Sequence, residues 1–441
     1  MKNAPSQGDR IASRIPFFYG WLMLPVVTAI QVSTSPGQTY GVSVFNPHWR
    51  ADLGLSHSEL SGAYMLGTLL ASLPMTYVGS LMDRYGSRKV LAAVVASFGL
   101  VCAGVSQVGG LVTLFVAFLL LRMLGQGAIG LLGMNTLAMW FNRRLGFASG
   151  ISSLGFTAAM AAIPALNLWL IASYGWRLSY MILGATVWIV VLPVLGVLFR
   201  DRPEDVGQKP DGFPWDPRSE PGGHDAAGRG SREAGPVVEA GEAAFDLAGA
   251  MRTRAYWIVA AASAAWSMIV TGIMFHMVQL FLDSGLTEGD AAAAFTTIAI
   301  SMAVSRFAGG IMADRLPLNV LLTVALACSS GATVLLVRMS SFWSAQVFAA
   351  VRGASSGMMM AVSTTLWVRY YGRSHLGRIR GSLTTIGVAA SSLGPFVMGY
   401  AHDVFGRFDE ALWVFVAVFG VIAAFGLFAT PPQSRGHTGC A

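Results

Sequence analysis

The chain has 441 residues, of which 54% are hydrophobic and only 12% charged, and its mean hydropathy is +0.59. A soluble chain carries about 25% charged residues, so a water-shielded globule is excluded and a polytopic membrane protein is expected. The net charge of +7 does not point to nucleic acid, because the lysines and arginines sit mostly in short loops, where they set topology.

Residues 1–17 are polar and basic, and no short apolar stretch with a small-residue cleavage site follows them. The long apolar stretch 18–45 reads as an uncleaved first span. The sequence SPGQTYG, from Ser35 to Gly41, interrupts it. Proline and glycine loosen the helix there, and such breaks line cavities because the freed backbone groups need partners. The second span is expected at 60–82, overlapping the tight basic loop GSLMDRYGSRK at 79–89. Spans three and four follow at 90–107 and 111–138, then the basic loop WFNRR and spans five and six at 145–172 and 178–199. Residues 200–254 change character. They are rich in Gly, Pro and charge, cannot bury a core, and read as a flexible linker that ends in a short surface helix. Spans seven to twelve are expected at 256–282, 291–312, 319–337, 342–366, 379–402 and 412–430.

The expected fold class is therefore an all-α membrane protein of about twelve transmembrane helices in two pseudo-symmetric six-helix bundles. The bundles are residues 18–199 and 255–430, joined by the linker 200–254 and flanked by tails 1–17 and 431–441. The basic loops after spans two, four, eight and ten, the linker and both termini share one side, which the positive-inside rule assigns to the cytoplasm of the cell's inner membrane. The opposite loops hold Asp283, Glu288 and Asp290, and His402, Asp403, Asp409 and Glu410.

The two halves repeat each other. Gly79-x-x-x-Asp83-Arg84 returns as Gly310-x-x-x-Asp314-Arg315, and Asp83 to Asp314 is 231 positions. Arg122-x-x-x-x-Gly127 returns as Arg352-x-x-x-x-Gly357 after 230, and Leu145-Gly146-x-x-x-Gly150 as Leu376-Gly377-x-x-x-Gly381 after 231. Internal repeats of this kind place a substrate site near the midplane between the halves. Charges present in both halves (Asp83, Arg84, Asp314, Arg315, Arg122, Arg352) read as scaffold or gate, with Arg122 and Arg352 tying helices within each half. Gly79 and Arg88 complete the loop motif.

Arg306 has no such twin, since the matching position is Met75. It sits inside an apolar segment, eight residues before Asp314, or about 12 Å along a helix. A mid-membrane arginine costs at least about 2.5–3.5 kcal/mol to insert and faces a cavity or a partner, so Arg306 is the candidate site for an anion. No Asp or Glu lies inside a predicted span, so the usual relay of buried carboxylates is missing. His276, in the outer third of span seven, titrates near neutral pH when unperturbed and could carry a proton or bind the anion. Asn135, Gln31 and Tyr40 could donate hydrogen bonds to a carboxylate. Packing between helices also accounts for these four. The methionine run 358–360 offers adaptable packing or an apolar wall for a short acyl chain. Cys102, Cys328 and Cys440 are too scattered for a disulfide framework or a metal site. No phosphate-cradling loop, HExxH or nucleophile elbow is present, so neither an enzyme nor a cofactor is expected.

The loop GSLMDRYGSRK and the stretch LLLRMLGQG resemble the loop and fourth-span signatures of the major facilitator superfamily. Within it, PFFYGW, WFNRRLGFASGISSLG, RDRPEDVG, GIMFH and Arg306 resemble the bacterial monocarboxylate transporter and oxalate–formate antiporter branch. The resemblance implies a monomeric secondary carrier in which the span-eight arginine, here Arg306, meets the substrate carboxylate. The chain departs from the animal monocarboxylate transporters in carrying Tyr19 for an acidic residue, Tyr40 for a lysine and Met302 for an aspartate. It also lacks the oxalate exchanger's second cation in span eleven. One positive charge suits a monocarboxylate, because a second unpaired carboxylate would be costly to bury. The expectation is alternating-access transport of lactate- or pyruvate-like acids, coupled to protons through Arg306, the substrate and His276. Anion exchange, export of small hydrophobic metabolites or drugs, and a transporter-fold metabolite sensor are the alternatives.

Overall fold

The computed structural model describes residues 17–142, 144–212, 245–372 and 376–432. The regular elements among them are all helical. Eight stretches are long and apolar enough to cross a membrane. One of these, Leu145–Leu198, is two spans, because Gly175 breaks it at φ 73°. Nine spans are thus continuous and apolar: the third (Ser87–Val105), fourth (Leu111–Trp140), fifth and sixth, seventh (Arg254–Phe275), eighth (Glu288–Arg315), ninth (Leu318–Val337), eleventh (Leu376–Phe405) and twelfth (Asp409–Gly426). The other three are interrupted or polar. The first is Gly20–Val32, Ser35–Gly37 and Thr39–Ser43, followed by Asn46–Leu53. The second is His57–Ala71 and Met75–Tyr85, parted before Pro74. The tenth, Phe342–Tyr371, carries a buried Arg352. The expected all-α architecture of twelve spans in two six-helix bundles is what is observed.

Short-range chemistry sets several boundaries. Ser56 and Glu59 form a reciprocal cap at the start of the second span, as do Thr287 and Asp290 at the eighth. Each such cap is worth about 1 kcal/mol. The break in the first span is the informative irregularity. Inside a membrane, its freed carbonyls must find donors within the protein. Three helices supply them: Arg122 donates to the Gly37 carbonyl, Asn167 to that of Gly41 and Tyr180 to that of Pro36, at 3.3, 3.3 and 3.1 Å. Within the break, the Tyr40 and Ser35 hydroxyls hydrogen-bond at 3.0 Å. Arg122, Asn167 and Tyr180 are thus spent on holding a kinked first span in place.

In the second half, spans eight and ten pack backbone against backbone. Gly357 faces the Arg306 amide so closely that a Cβ there would lie 2.8 Å from its nitrogen, and only glycine permits the approach. This contact fixes the register of the span that bears Arg306.

The polar contacts between the halves gather at the end opposite the basic loops, here termed the far end. Asn46 donates to the Phe275 carbonyl at 2.7 Å, and Thr296 to that of Ala161 at 2.8 Å. Asp403 accepts from the amides of His57 and Ser58 at 3.1 and 2.7 Å. The molecule is sealed at this end.

Residues 200–212 correct the expectation of a wholly flexible linker. They fold against the first half in two short turns, Pro203–Val206 and Pro210–Gly212. Gln208 accepts from the Tyr19 amide at 2.8 Å, and Asp211 from the amides of Asn142 and Arg144 at 3.2 Å. Paired backbone groups, rather than burial of apolar area, hold this polar segment. The expected surface helix is present as Leu247–Met251, capped by Asp246. The remainder, 213–244, and the tails 1–16 and 433–441 lie outside the described residues.

Candidate functional site

Arg306 lies nine residues before Arg315, the last residue of its helix, or about 13 Å along the axis. Its half-buried side chain opens on a cavity of about 270 Å³. Span seven lines this cavity with Ser263, Trp266 and Ser267, span ten with Met359, Met360, Ser363 and Thr364, and span eleven with Gly387. Among the described residues the guanidinium has no ion-pair or hydrogen-bond partner, which is unusual for a charge in a membrane span. Trp266 also has a donor to spare: its indole N–H is buried without an acceptor. Ser267 and Thr364 donate to the carbonyls of Gly387 and Ala361 at 3.0 and 2.8 Å, leaving oxygen lone pairs free. The wall therefore combines one fixed positive charge, four hydroxyls and two thioethers, with the unused indole N–H buried on the lining residue Trp266. Such a site can hold a compact anion with a short apolar body.

The cavity does not gather the other sequence candidates. Gln31 accepts from Ser152 at 2.8 Å and lies against Gly133, joining spans one, four and five. Asn135 contacts the Met82 sulfur at 3.7 Å. Tyr40 is buried in the first-span break, with its ring edge-on to Phe156. His276 lies ten residues beyond Trp266 on span seven, about 15 Å along the axis. It donates from Nε2 to the Pro395 carbonyl at 2.9 Å, within the far-end seal. Conversely, Trp266 and the cavity serines were not singled out from the sequence. Their signal was faint: positions 263, 266 and 267 share one helix face, as do 359, 360, 363 and 364.

The motif charges lie elsewhere. Arg122 is buried and sits over the Tyr64 ring at 5.0 Å while reaching Gly37, so it ties spans four, two and one. Arg352 is equally buried, but among the described residues its one hydrogen bond is to Ser356, a turn along its own helix, and its Nη1 has no partner. It is not the inter-helix tie that the repeat implies. At the basic end, Arg84 lies over Tyr85, and Arg88 donates to the Gly196 carbonyl and, through its amide, to Asp201. Asp314 pairs with Arg369 of span ten at 2.7 Å. Gly79 has open space beside it, Arg315 is exposed, and the Asp83 side chain lies outside the described atoms. Among the described residues, no group of three His, Cys, Asp or Glu side chains is placed to hold a metal ion.

This fold and site define a multi-pass membrane transporter, and wider comparison agrees. The Major Facilitator Superfamily profile matches residues 28–327 and 257–439; the chain belongs to that superfamily. It is 24% identical over 403 residues to monocarboxylate transporter 3 of Rattus norvegicus, covering 89% of this chain and 76% of that one. It is 23% identical over 300 residues to the uncharacterized MFS-type transporter YhjX of Escherichia coli K12, covering 67% and 66%. In structure it resembles a bacterial homolog of the human lysosomal transporter Spinster in an inward-facing, unoccupied conformation. That match has a TM-score of 0.68 at 16% identity, over 93% of this chain and 97% of the other.

Proposed function

We propose that this protein is a secondary carrier for small organic monocarboxylates, driven by protons and working by alternating access. The observation that carries the reading is the unpartnered Arg306 guanidinium at the wall of a membrane cavity. A carboxylate arriving there forms charge-assisted hydrogen bonds, bidentate where geometry allows. The serine and threonine hydroxyls suit a 2-hydroxy or 2-oxo group, and Met359, Met360 and Trp266 suit a short carbon chain. Likeness to a monocarboxylate transporter over most of the chain supports the same class of cargo. The basic end faces the cytoplasm of the inner membrane, as the charge of its loops requires. The far-end seal then makes this the inward-facing state. Among the described residues Arg306 is the one cation lining the cavity, which favours one carboxylate over two and weighs against a dicarboxylate exchanger.

The test is uptake of labelled lactate and pyruvate into proteoliposomes, with and without an inward proton gradient. Gradient-stimulated uptake is expected, and Arg306→Ala should lower it by about 10- to 100-fold, the loss of a hydrogen bond to a charged group. Arg306→Lys should keep part of it. Uptake unchanged in Arg306→Ala would remove the arginine from the site, and gradient-independent uptake would remove the proton coupling.

A further inference from the structure

The far-end seal contains three histidines that the carboxylate site does not use. His57 opens the second span, His276 sits at the hinge between Arg254–Phe275 and Met277–Asp283, and His402 lies near the end of the eleventh span. The His57 and His402 rings, from opposite halves, are 3.9 Å apart between centroids, and His57 and His276 are 5.8 Å apart. Phe408 packs against all three, at 5.3, 5.0 and 4.5 Å from His57, His276 and His402. His57 and His276 are each 2% exposed. The Nδ1 of His57 is buried with no partner.

We propose that His57, His276 and His402 form a proton-binding site in the far-end gate, which closes when the rings are neutral and opens when they are protonated. Neutral imidazoles can pack this closely, here with the His57 and His402 planes tilted by 46°. Two imidazolium rings at this separation repel each other, and a charged His57 would have an N–H with nowhere to donate. Parting the halves returns the rings to water, so protons bind more tightly to the open form, and acid must shift the equilibrium toward it.

The charges around the cluster assign the order of events. Asp283, on the seventh-span side, lies 3.6 Å from His402 Nε2 and gives that ring a counter-ion within its own half. Asp403, next to His402, has its two oxygens engaged by the His57 and Ser58 amides. Arg50, from the segment after the first span, donates to Gln279 and adds positive charge nearby. Glu288 is 3.6 Å from His48, and Glu410 and Asp409 face Arg407. Asp403 keeps its charge beside His57, but its oxygens are engaged by amides, and among the described residues no carboxylate accepts from the His57 ring. The first proton is therefore tolerated on His402, and the second, on His57, breaks the seal.

The inference needs the alternating-access fold but not the identity of the cargo, so it is tested without substrate. The full chain, with its three cysteines replaced by alanine, would carry spin labels at Ala51→Cys and Phe405→Cys, one on each half at the far end. Inter-label distances would be measured in nanodiscs from pH 8 to pH 5. The long-distance population should grow on acidification, by at most about tenfold per pH unit for each linked proton. The shift should vanish in His57→Asn and persist in His48→Asn, which lies outside the cluster. A wild-type distribution that does not move with pH would overturn the proposal on its own, whatever the variants do. So would a pH shift that survives in His57→Asn.

Discussion

The two halves carry the same buried arginine at corresponding places, and they use it differently. Arg122 spans three helices, taking a carbonyl freed by the first-span break and lying on the Tyr64 ring. Among the described residues, Arg352 reaches only a hydroxyl of its own helix. The difference follows the first-span break, whose Gly37 carbonyl is the acceptor that Arg122 takes; 231 positions on from Tyr64 the second half keeps a ring, Phe295. The first half commits Arg122, Asn167 and Tyr180 to the first-span break, while its Trp49 indole N–H and the Arg122 Nε are buried without a partner. The second half keeps donors in reserve at Arg306, Trp266 and Arg352. The repeat supplies one framework twice, and the candidate site lies where the copies stop matching.

The largest stability effect expected from this comparison is at Arg122. Arg122→Met leaves the Gly37 carbonyl without its donor inside the membrane and removes the cation from Tyr64. A loss of about 2–4 kcal/mol is expected, which is on the order of 5–10 °C in apparent Tm for a six-helix unit. Thermal unfolding of the detergent-solubilised protein would measure it, and an unchanged Tm would end the scaffold reading of the first half. Trp266→Phe comes next and acts on binding. It keeps a ring in the cavity wall but deletes the unused N–H, so the KM for a monocarboxylate should rise about three- to tenfold, one neutral hydrogen bond's worth, with Tm unmoved. A Tm loss without a KM change would make Trp266 packing alone. Tyr64→Phe is smaller still. It removes only the 2.8 Å bond to Thr39, worth about 1 kcal/mol, and leaves the ring face for Arg122.

Much of the fold was legible in the sequence because bilayer physics is permissive about detail: an apolar length and a basic loop suffice to place a span and its direction. The repeat offset located Arg122, Arg352 and the odd cation Arg306 without coordinates. The sequence could not show which face each polar residue takes. Gln31, Tyr40 and Asn135 read as cavity donors by composition, yet each makes its side-chain hydrogen bonds within the first half. Trp266 was passed over because a tryptophan in an apolar run is unremarkable until its N–H is found without an acceptor. His276 was legible as a titratable group, but its partners His57 and His402 come from spans far apart in the chain, and nothing local links them. The linker misled for a related reason. Its Pro, Gly and charge exclude a core, but not a polar clasp made by Gln208 and Asp211 on backbone amides.

The smallest effect is expected at Arg352, and it is the sharpest test of the asymmetry. A buried arginine with an unpartnered Nη1 is held at a desolvation cost that one hydroxyl does not repay. Arg352→Met, of similar length and apolar, should therefore leave stability within about 1 kcal/mol of wild type, or about 2–4 °C in Tm, or raise it, in contrast to the same change at Arg122. Transport separates two reasons for keeping such a residue. If turnover falls in Arg352→Met while Tm holds, the guanidinium finds its acceptor in another state of the cycle, and the reserve donors of the second half extend beyond the cavity. If Tm falls as far as in Arg122→Met, the arginine is scaffold in both halves, and Arg306 alone marks where the copies diverged.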